Sequence, residues 1–315
     1  MPNVVLQTEK LTKSYGSLAA VKNLTLEVYE GEVFGFLGPN GAGKTTSINM
    51  ICGLLKPDAG QVIVFGVPIV NDDNSIRAHV GVCPQNIVLW GRLTCLEQLQ
   101  FIGQMYGLKG RDARQRGAHL LEELNLLDKR NRQAHTLSGG IQRRLNLAMA
   151  LVHDPDIVVL DEPEAGLDPQ SRVQVREYIK SLARKKTVIL TTHNMDEADR
   201  VADRVAIIDH GGLLVLDTPA ALKRRVGEGD VLEIGLNGDT TVGETACAAL
   251  ARLVHPSTVQ FAHDTLTIRT LNAVAMLPAL IEALSRASLQ VGEVRLRENT
   301  LEDVFIQLTG RRLRE

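Results

Sequence analysis

Over residues 1–218, short β-branched runs alternate with helical stretches, the pattern of an α/β fold. Six segments predict strands: VVLQTEKL from Val4, EVFGFLG from Glu32, QVIVFG from Gln61, IVVLDEP from Ile157, TVILTTH from Thr187 and RVAIIDH from Arg204. Residues from about 86 to 153 break this rhythm and read as a helical subdomain inserted into the α/β core. Thr94-Cys-Leu-Glu97 is a capping box that opens a helix to about Tyr106. RDARQRGAHLLEELNL supplies a second helix and SGGIQRRLNLAMALVH a third, with Ser138 placed to cap it.

The pattern changes around LDTPAALKRRVGEGD, residues 216–230. Beyond it the segments predict a strand through Leu232, Ile234 and Leu236, a helix over 245–254, strands at 258–263 and 265–270, a helix over 273–286 and a strand over 290–297. This βαββαβ order is the ferredoxin-like arrangement. Thr300 then caps a last helix with Leu301, Val304, Phe305 and Leu308 on one face. The chain divides into a first domain over 1–218 and a second over 219–315.

Composition narrows the class. A chain of 315 residues that is 44% hydrophobic and 23% charged is long enough for two cored domains, which excludes a disordered or fibrous protein. With 35 Lys and Arg against 37 Asp and Glu, the formal charge is −2, and no basic field attracts nucleic acid. The longest apolar run, Ala273–Ile281, contains Pro278 and falls far short of the roughly 20 residues of a spanning helix. The N-terminus lacks the features of a signal peptide. Cys52, Cys83, Cys95 and Cys247 show no metal-ligand spacing and read as reduced, mostly buried thiols.

The chemistry centres on residues 38–46, GPNGAGKTT, which follow the strand Phe34–Leu37 directly. In that strand–loop–helix setting, GxxxxGK[ST] is a phosphate-binding loop. Its glycines let backbone N–H groups turn towards phosphate oxygens, and the following helix points its positive end at them. Lys44 reaches the β and γ phosphates and Thr45 holds magnesium. A second apolar strand ends in Asp161-Glu162. Asp161 fits the metal and Glu162 the base that takes the proton of the attacking water. Leu137-Ser-Gly-Gly140 offers another helix start with unobstructed N–H groups. Gly166-Leu-Asp168-Pro169 is a capped helix start, with proline at the first helical position. His193 stands at the C-terminal end of a strand, where open α/β sheets place ligands. The other seven histidines read as ordinary surface or core residues.

Together Tyr15, GPNGAGKTT, Gln85, LSGG, VVLDEP, GLDP and His193 resemble the motifs of an ATP-binding-cassette (ABC) ATPase, a P-loop NTPase. The likeness spans about residues 4–218. It implies ATP and Mg2+ as cofactors and a head-to-tail homodimer of cassettes. Gly38, Pro39, Asn40, Gly41, Ala42, Gly43, Lys44, Thr45 and Thr46 then cradle the nucleotide, and Tyr15 stacks on adenine. Gln85 joins Thr45 and Asp161 at magnesium and also contacts the water, while His193 meets the γ phosphate. Ser138, Gly139 and Gly140 close over the partner copy's ATP, with Asp168 at the dimer interface. TTHNMDEADRVADRVAIIDHGGLLVLDTPAALK and NTLEDVFIQLTGRRLRE are also similar to the daunorubicin/doxorubicin-resistance type of exporter ATPase. That likeness implies a separate transmembrane permease subunit and a place on the cytoplasmic face of the membrane. It also makes residues 219–315 a regulatory or interaction domain.

Two positions depart from the family pattern. Glu164 stands where Thr or Ser is usual, either beside the γ phosphate or, as a surface glutamate would, in solvent. Ile141 follows LSGG where Met or Gln is common. Trp90, the only tryptophan, either packs within the helical insert or anchors a partner's helix. The alternative reading is a non-transport cassette ATPase acting in translation or DNA maintenance. One P-loop without tandem cassettes or long heptads argues against it, and LSGG argues against a metabolic P-loop kinase.

Overall fold

The computed structural model describes residues 3–69, 78–226, 229–236, 240–255, 259–262 and 264–310. The described chain forms two compact units, one ending at Pro219 and the other beginning at Ala220.

The first unit holds two sheets. The larger runs in the order β10 (Gly212–Asp217), β9 (Arg204–Asp209), β3 (Val33–Leu37), β8 (Thr187–Thr192), β7 (Ile157–Asp161), β6 (Val80–Cys83). From β9 to β6 every pairing is parallel, and β10 adds an antiparallel edge. Strands β3, β7 and β8 are buried at every position, which explains the apolar runs at their centres, with polar residues only towards their ends. Register then decides function. Leu37 pairs with Thr192, Asp161 with Thr191 and Leu160 with Cys83. The segments that follow β3, β6, β7 and β8 therefore all leave one edge of the sheet.

Alternation within these strands separates two cores. Phe34 and Phe36, in edge-to-face contact at 5.4 Å, face helix α1 (Lys44–Ile51) and the smaller sheet. Val33, Val158, Leu160, Val188 and Leu190 face the other way. There they meet the helices of the insert, α2 (Cys95–Met105), α3 (Gly110–Glu123) and α4 (Gly139–Leu151), and α5 (Pro169–Leu182). The capping box at α2 forms: the Glu97 N–H donates to Thr94 Oγ1 at 3.2 Å, and the Thr94 N–H donates to Glu97 Oε2 at 2.8 Å. At α4 the expectation of a Ser138 cap fails, because the Ser138 side chain makes no capping hydrogen bond.

The smaller sheet is antiparallel, in the order β2 (Leu18–Tyr29), β1 (Val4–Tyr15), β4 (Ala59–Val64), β5 (Val67–Pro68). Strand β2 escapes the sequence pattern for a physical reason. Val21, Leu24, Leu26 and Val28 are buried, but the alternation slips by one residue at Lys22-Asn23. Asn23 has φ of 49°, and the pairing with β1 shifts there, the mark of a bulge.

Helix α6 (Met195–Val201) follows β8 in the first unit. Helix α7 (Pro219–Val226), all but its first residue in the second unit, precedes that unit's antiparallel sheet, ordered β12 (Val259–Ala262), β13 (Thr265–Thr270), β11 (Asp230–Leu236), β14 (Val291–Arg297). Helices α8 (Thr240–Leu250) and α9 (Ala273–Arg286) complete the βαββαβ order, a ferredoxin-like fold. Helix α8 starts earlier than the sequence suggests, and it also ends earlier because residues 251–254 form turns and a bend. Helix α10 (Leu301–Thr309) opens with a Thr300–Asp303 capping box, and Asp303 also accepts from Arg297 at 2.6 and 3.0 Å. Residues 258 and 263, the outer ends of one expected strand, lie outside the described residues.

Two kinds of buried titratable group bear on behaviour in solution. Cys52, Cys83 and Cys95 are free and buried, and burial pushes Cys52 up to about 12 and Cys83 up to about 11. They persist as thiols at neutral pH. His153 stacks on Tyr106 with ring centroids 3.8 Å apart, and burial pulls its pKa down to about 4. The folded protein therefore keeps this imidazole neutral, whereas the unfolded chain protonates it near 6.5. Between those values the unfolded state binds more protons, so stability falls as pH falls, by on the order of 1–3 kcal/mol at pH 4. Urea unfolding at pH 7.5 and pH 5 should show a smaller acid loss in His153→Gln than in the parent. Equal losses would mean that His153 does not contribute.

Candidate functional site

The loop after β3 is shaped by close backbone approaches. A Cβ on Gly38 would stand 2.3 Å from the Ile208 carbonyl oxygen, and one on Gly43 would stand 2.3 Å from that of Ala20. Gly43 also has φ of 102°. Strands β9 and β2 thus press on the loop from two sides, and only glycine fits at these contacts. Helix α1 starts with neither a side-chain cap nor an acidic residue in its first turn. Its N-terminal end is available to an anion. Lys44 is buried and donates through Nζ to the carbonyls of Gly38 at 2.8 Å and Pro39 at 3.1 Å. Burial lowers its pKa, opposed by the charges of Glu162 and Asp161. Asn40, Gly41 and Thr45 are exposed, Ala42 is buried and Thr46 is half-buried. Tyr15, at the tip of the β1–β2 hairpin, is 52% exposed.

The neighbouring strand ends supply the rest. Thr45 Oγ1 donates to Asp161 Oδ2 at 3.4 Å, and the Thr191 hydroxyl donates to Asp161 Oδ1. Glu162 has φ of 47°, in the left-handed region that a glutamate adopts at a cost. Its N–H is held by the Thr191 carbonyl and hydroxyl, each at 3.1 Å. The Glu162 carboxylate accepts from Gln85 Nε2 at 3.1 Å and lies 2.9 Å from His193 Nδ1. Gln85, Glu162 and His193 therefore form one hydrogen-bonded group beside the Lys44 loop. A hydroxyl next to a carboxylate is the hard-oxygen donor set that suits magnesium.

Other expected residues stand apart from this group. Ser138 and Gly139 are exposed at the start of α4, and no atom approaches within 4 Å of a Cβ built on Gly139. No hydrogen bond among the described residues ties 138–140 to the 38–46 loop. Asp168 caps α5, accepting from the Ser171 N–H at 3.0 Å and the Ser171 hydroxyl at 2.6 Å. Those two bonds hold its carboxyl below the usual range.

Glu164 corrects the expectation that it faces solvent. Only 2% exposed, it pairs in bidentate fashion with Arg176 of α5, at 2.7 and 3.1 Å. The guanidinium fork neutralises the extra carboxylate and fixes its direction. The sequence assigns no role to Thr191, and it shows Arg143 only as one of the polar positions Gln142, Arg143 and Arg144 at the start of the LSGG helix. A threonine pair ending an apolar strand was a readable signal for Thr191, whereas nothing local marks Arg143, a buried cation in the first turns of α4. Trp90 is partly resolved: it packs edge to face on Phe101 at 5.2 Å, yet the two rings remain 42% and 44% exposed.

A strand–loop–helix phosphate site, with two carboxylates at the end of one buried parallel strand, Gln85 and His193 beyond its two neighbours, and a helical insert, defines a P-loop ATPase of the cassette type. The ABC transporter family profile matches residues 21–165. The chain is 35% identical to the linearmycin resistance ATP-binding protein LnrL of Bacillus subtilis (strain 168), over 99% of this chain and 100% of that protein. It is 38% identical to the daunorubicin/doxorubicin resistance ATP-binding protein DrrA of Streptomyces peucetius, over 98% and 93%. With the Nod factor export ATP-binding protein I of Paraburkholderia xenovorans (strain LB400) it shares 39% identity over the full length of both. Among solved structures, the dimeric post-hydrolysis state of the ATP-binding cassette MJ0796 bound to ADP and Pi has a TM-score of 0.62 at 28% identity, covering 68% of this chain and 98% of that one. The chain belongs to the ATP-binding subunits of ABC transporters and is an ATPase, homologous to those of drug-resistance exporters. These full-length relatives give no support to a role in translation or DNA maintenance.

Proposed function

We propose that two copies of the chain close head to tail over two ATP molecules and drive export through a separate transmembrane permease subunit. The observation that carries this reading is the division of the motifs. Lys44, Thr45, Gln85, Asp161, Glu162 and His193 surround one loop, while Ser138 and Gly139 face outwards with no partner in their own site. A site split this way is completed by a second copy, and a two-fold pair completes both sites at once.

Within each site, Glu162 takes the proton of the water that attacks the γ phosphorus, and ADP leaves with the phosphate as second product. Gln85 and His193 hold the carboxylate in place for that transfer, and Lys44 neutralises charge on the β and γ phosphates. Thr45 and Asp161, with Gln85 beside them, would hold Mg2+, which when bound offsets charge on the phosphate oxygens. Tyr15 offers its exposed ring to adenine. The relatives named for resistance or export support an organic cargo such as a drug or lipid. Those relatives are named as ATP-binding proteins, which supports a cargo path in a separate subunit, and no helix among the described residues is long and apolar enough to cross a membrane. The exposed Trp90–Phe101 pair, near Ile87 and Val88, suits an apolar helix of that partner. On this reading the protein works at the cytoplasmic face of the membrane. Residues 1–218 do the ATP work, and 219–315 form the regulatory or interaction domain.

Mixing two inactive variants tests the composite site. Ser138→Arg should bind ATP but turn over little, and Lys44→Ala should be inactive. A one-to-one mixture should recover part of the parent turnover, because the mixed dimer holds one intact site. Parent-rate turnover by Ser138→Arg alone, or no recovery on mixing, overturns the head-to-tail assignment.

A further inference from the structure

Arg143 is 3% exposed and lies one turn into α4, five residues beyond Ser138. Each of its five N–H bonds has its own acceptor, and every acceptor is a main-chain carbonyl. Nε donates to Pro163 at 3.1 Å. Nη1 donates to Pro84 at 2.7 Å and Gln85 at 2.8 Å. Nη2 donates to Asp161 at 2.7 Å and Glu162 at 2.6 Å. The buried side chain borders a gap, lined also by Cys83, Leu147, Pro163 and Val175, that has no room for a water, so water does not replace these bonds. A buried cation is costly unless every donor is satisfied, and here the carbonyl dipoles of two separate segments do that work.

Those segments carry the two groups that meet over the candidate site. Pro84-Gln85 leads into the insert, and Asp161-Glu162-Pro163 ends β7. The Gln85 and Glu162 side chains touch at 3.1 Å. Arg143 fixes the backbone beneath both, and it does so from the helix whose first residues are Ser138, Gly139 and Gly140. We propose that Arg143 is a positioning residue that couples the LSGG helix of one subunit to that subunit's own Glu162 and Gln85, so that each nucleotide site senses closure of the other. The inference rests on Glu162 as base and on the LSGG segment serving a second copy's nucleotide. A shift of α4 on closure over the partner's ATP is carried by the guanidinium to both carbonyl groups. Lysine cannot substitute, because a single ammonium with three donors does not bridge five carbonyls on two segments.

The test compares the parent with Arg143→Lys and Arg143→Gln, measuring ATP affinity and the rate of phosphate release against ATP concentration. Affinity should stay within about threefold of the parent, since the Lys44 loop is untouched. The maximal rate should fall by ~10²-fold, the effect of misplacing a catalytic group by an ångström. The Hill coefficient should drop from above 1 in the parent to 1, a change that loss of fold stability alone does not produce. A folded Arg143→Lys protein with the parent's maximal rate and Hill coefficient overturns the proposal. Absence of turnover in the parent would instead remove the reading on which it rests. Should both variants fail to fold, hydrogen exchange in the parent decides. On addition of ATP, segments 83–88, 139–145 and 160–165 should gain protection together, and independent responses overturn the coupling.

Discussion

Glu162→Gln protein will bind ATP and fail to hydrolyse it, its phosphate release falling at least ~10²-fold below the parent, as expected for loss of a general base. The substitution keeps the size of the side chain and its contacts with Gln85 and His193, but removes the proton acceptor and one negative charge. With turnover blocked, the ATP-bound pair should accumulate and elute as a dimer in size-exclusion chromatography with ATP and as a monomer without it. Asp161→Asn separates the two carboxylates, because it should weaken Mg2+-dependent ATP binding itself. The geometry also removes the obvious substitute base. Glu164 is buried and held in two bonds by Arg176, so Glu162→Gln with Glu164→Gln should hydrolyse no more slowly than Glu162→Gln alone. Parent-like turnover by Glu162→Gln would remove the base assignment.

Lys44→Ala should abolish hydrolysis and weaken ATP binding by ~10²-fold, the order expected for charge-assisted bonds to phosphate oxygens. Without nucleotide, Lys44 donates only to the Gly38 and Pro39 carbonyls of its own loop. The Gly38 bond is buried and the Pro39 bond partly so, and the loss of these two donors should lower the thermal midpoint by a few degrees without preventing folding. The charges of Asp161 and Glu162, which favour the protonated ammonium, would then lack a counter-charge and repel the phosphates further. Near-normal ATP affinity in folded Lys44→Ala protein would place the nucleotide elsewhere.

Much of this protein is legible along the chain because its signals are contiguous. The GPNGAGKTT loop, the apolar strand ending in Asp161-Glu162, and the capping boxes at Thr94 and Thr300 each occupy a few adjacent residues. Each is marked by local backbone chemistry: glycine where the loop takes a positive φ, as at Gly41 and Gly43, and threonine where a helix start needs an N–H paired. Buried parallel strands read as apolar runs, and the βαββαβ order of the second unit follows from its succession of strand-like and helix-like segments. Strand β2 was hidden because a bulge at Lys22-Asn23 shifts its alternation by one residue.

Tertiary structure decided what depends on partners distant in sequence. Gln85 and Glu162 are 77 residues apart and meet because β6 and β7 are parallel neighbours in register. His193 reaches the same carboxylate from 31 residues away, off the next strand. Glu164 reads as a surface residue until Arg176 folds back over it, and Arg143 reads as one more polar position in a helix start until five carbonyls converge on it. Propensity and spacing record what the chain does with its near neighbours. Which polar group is buried, and what compensates its lost hydration, is fixed only when long-range pairing closes the sheet and sets α4 and α5 against the ends of its strands.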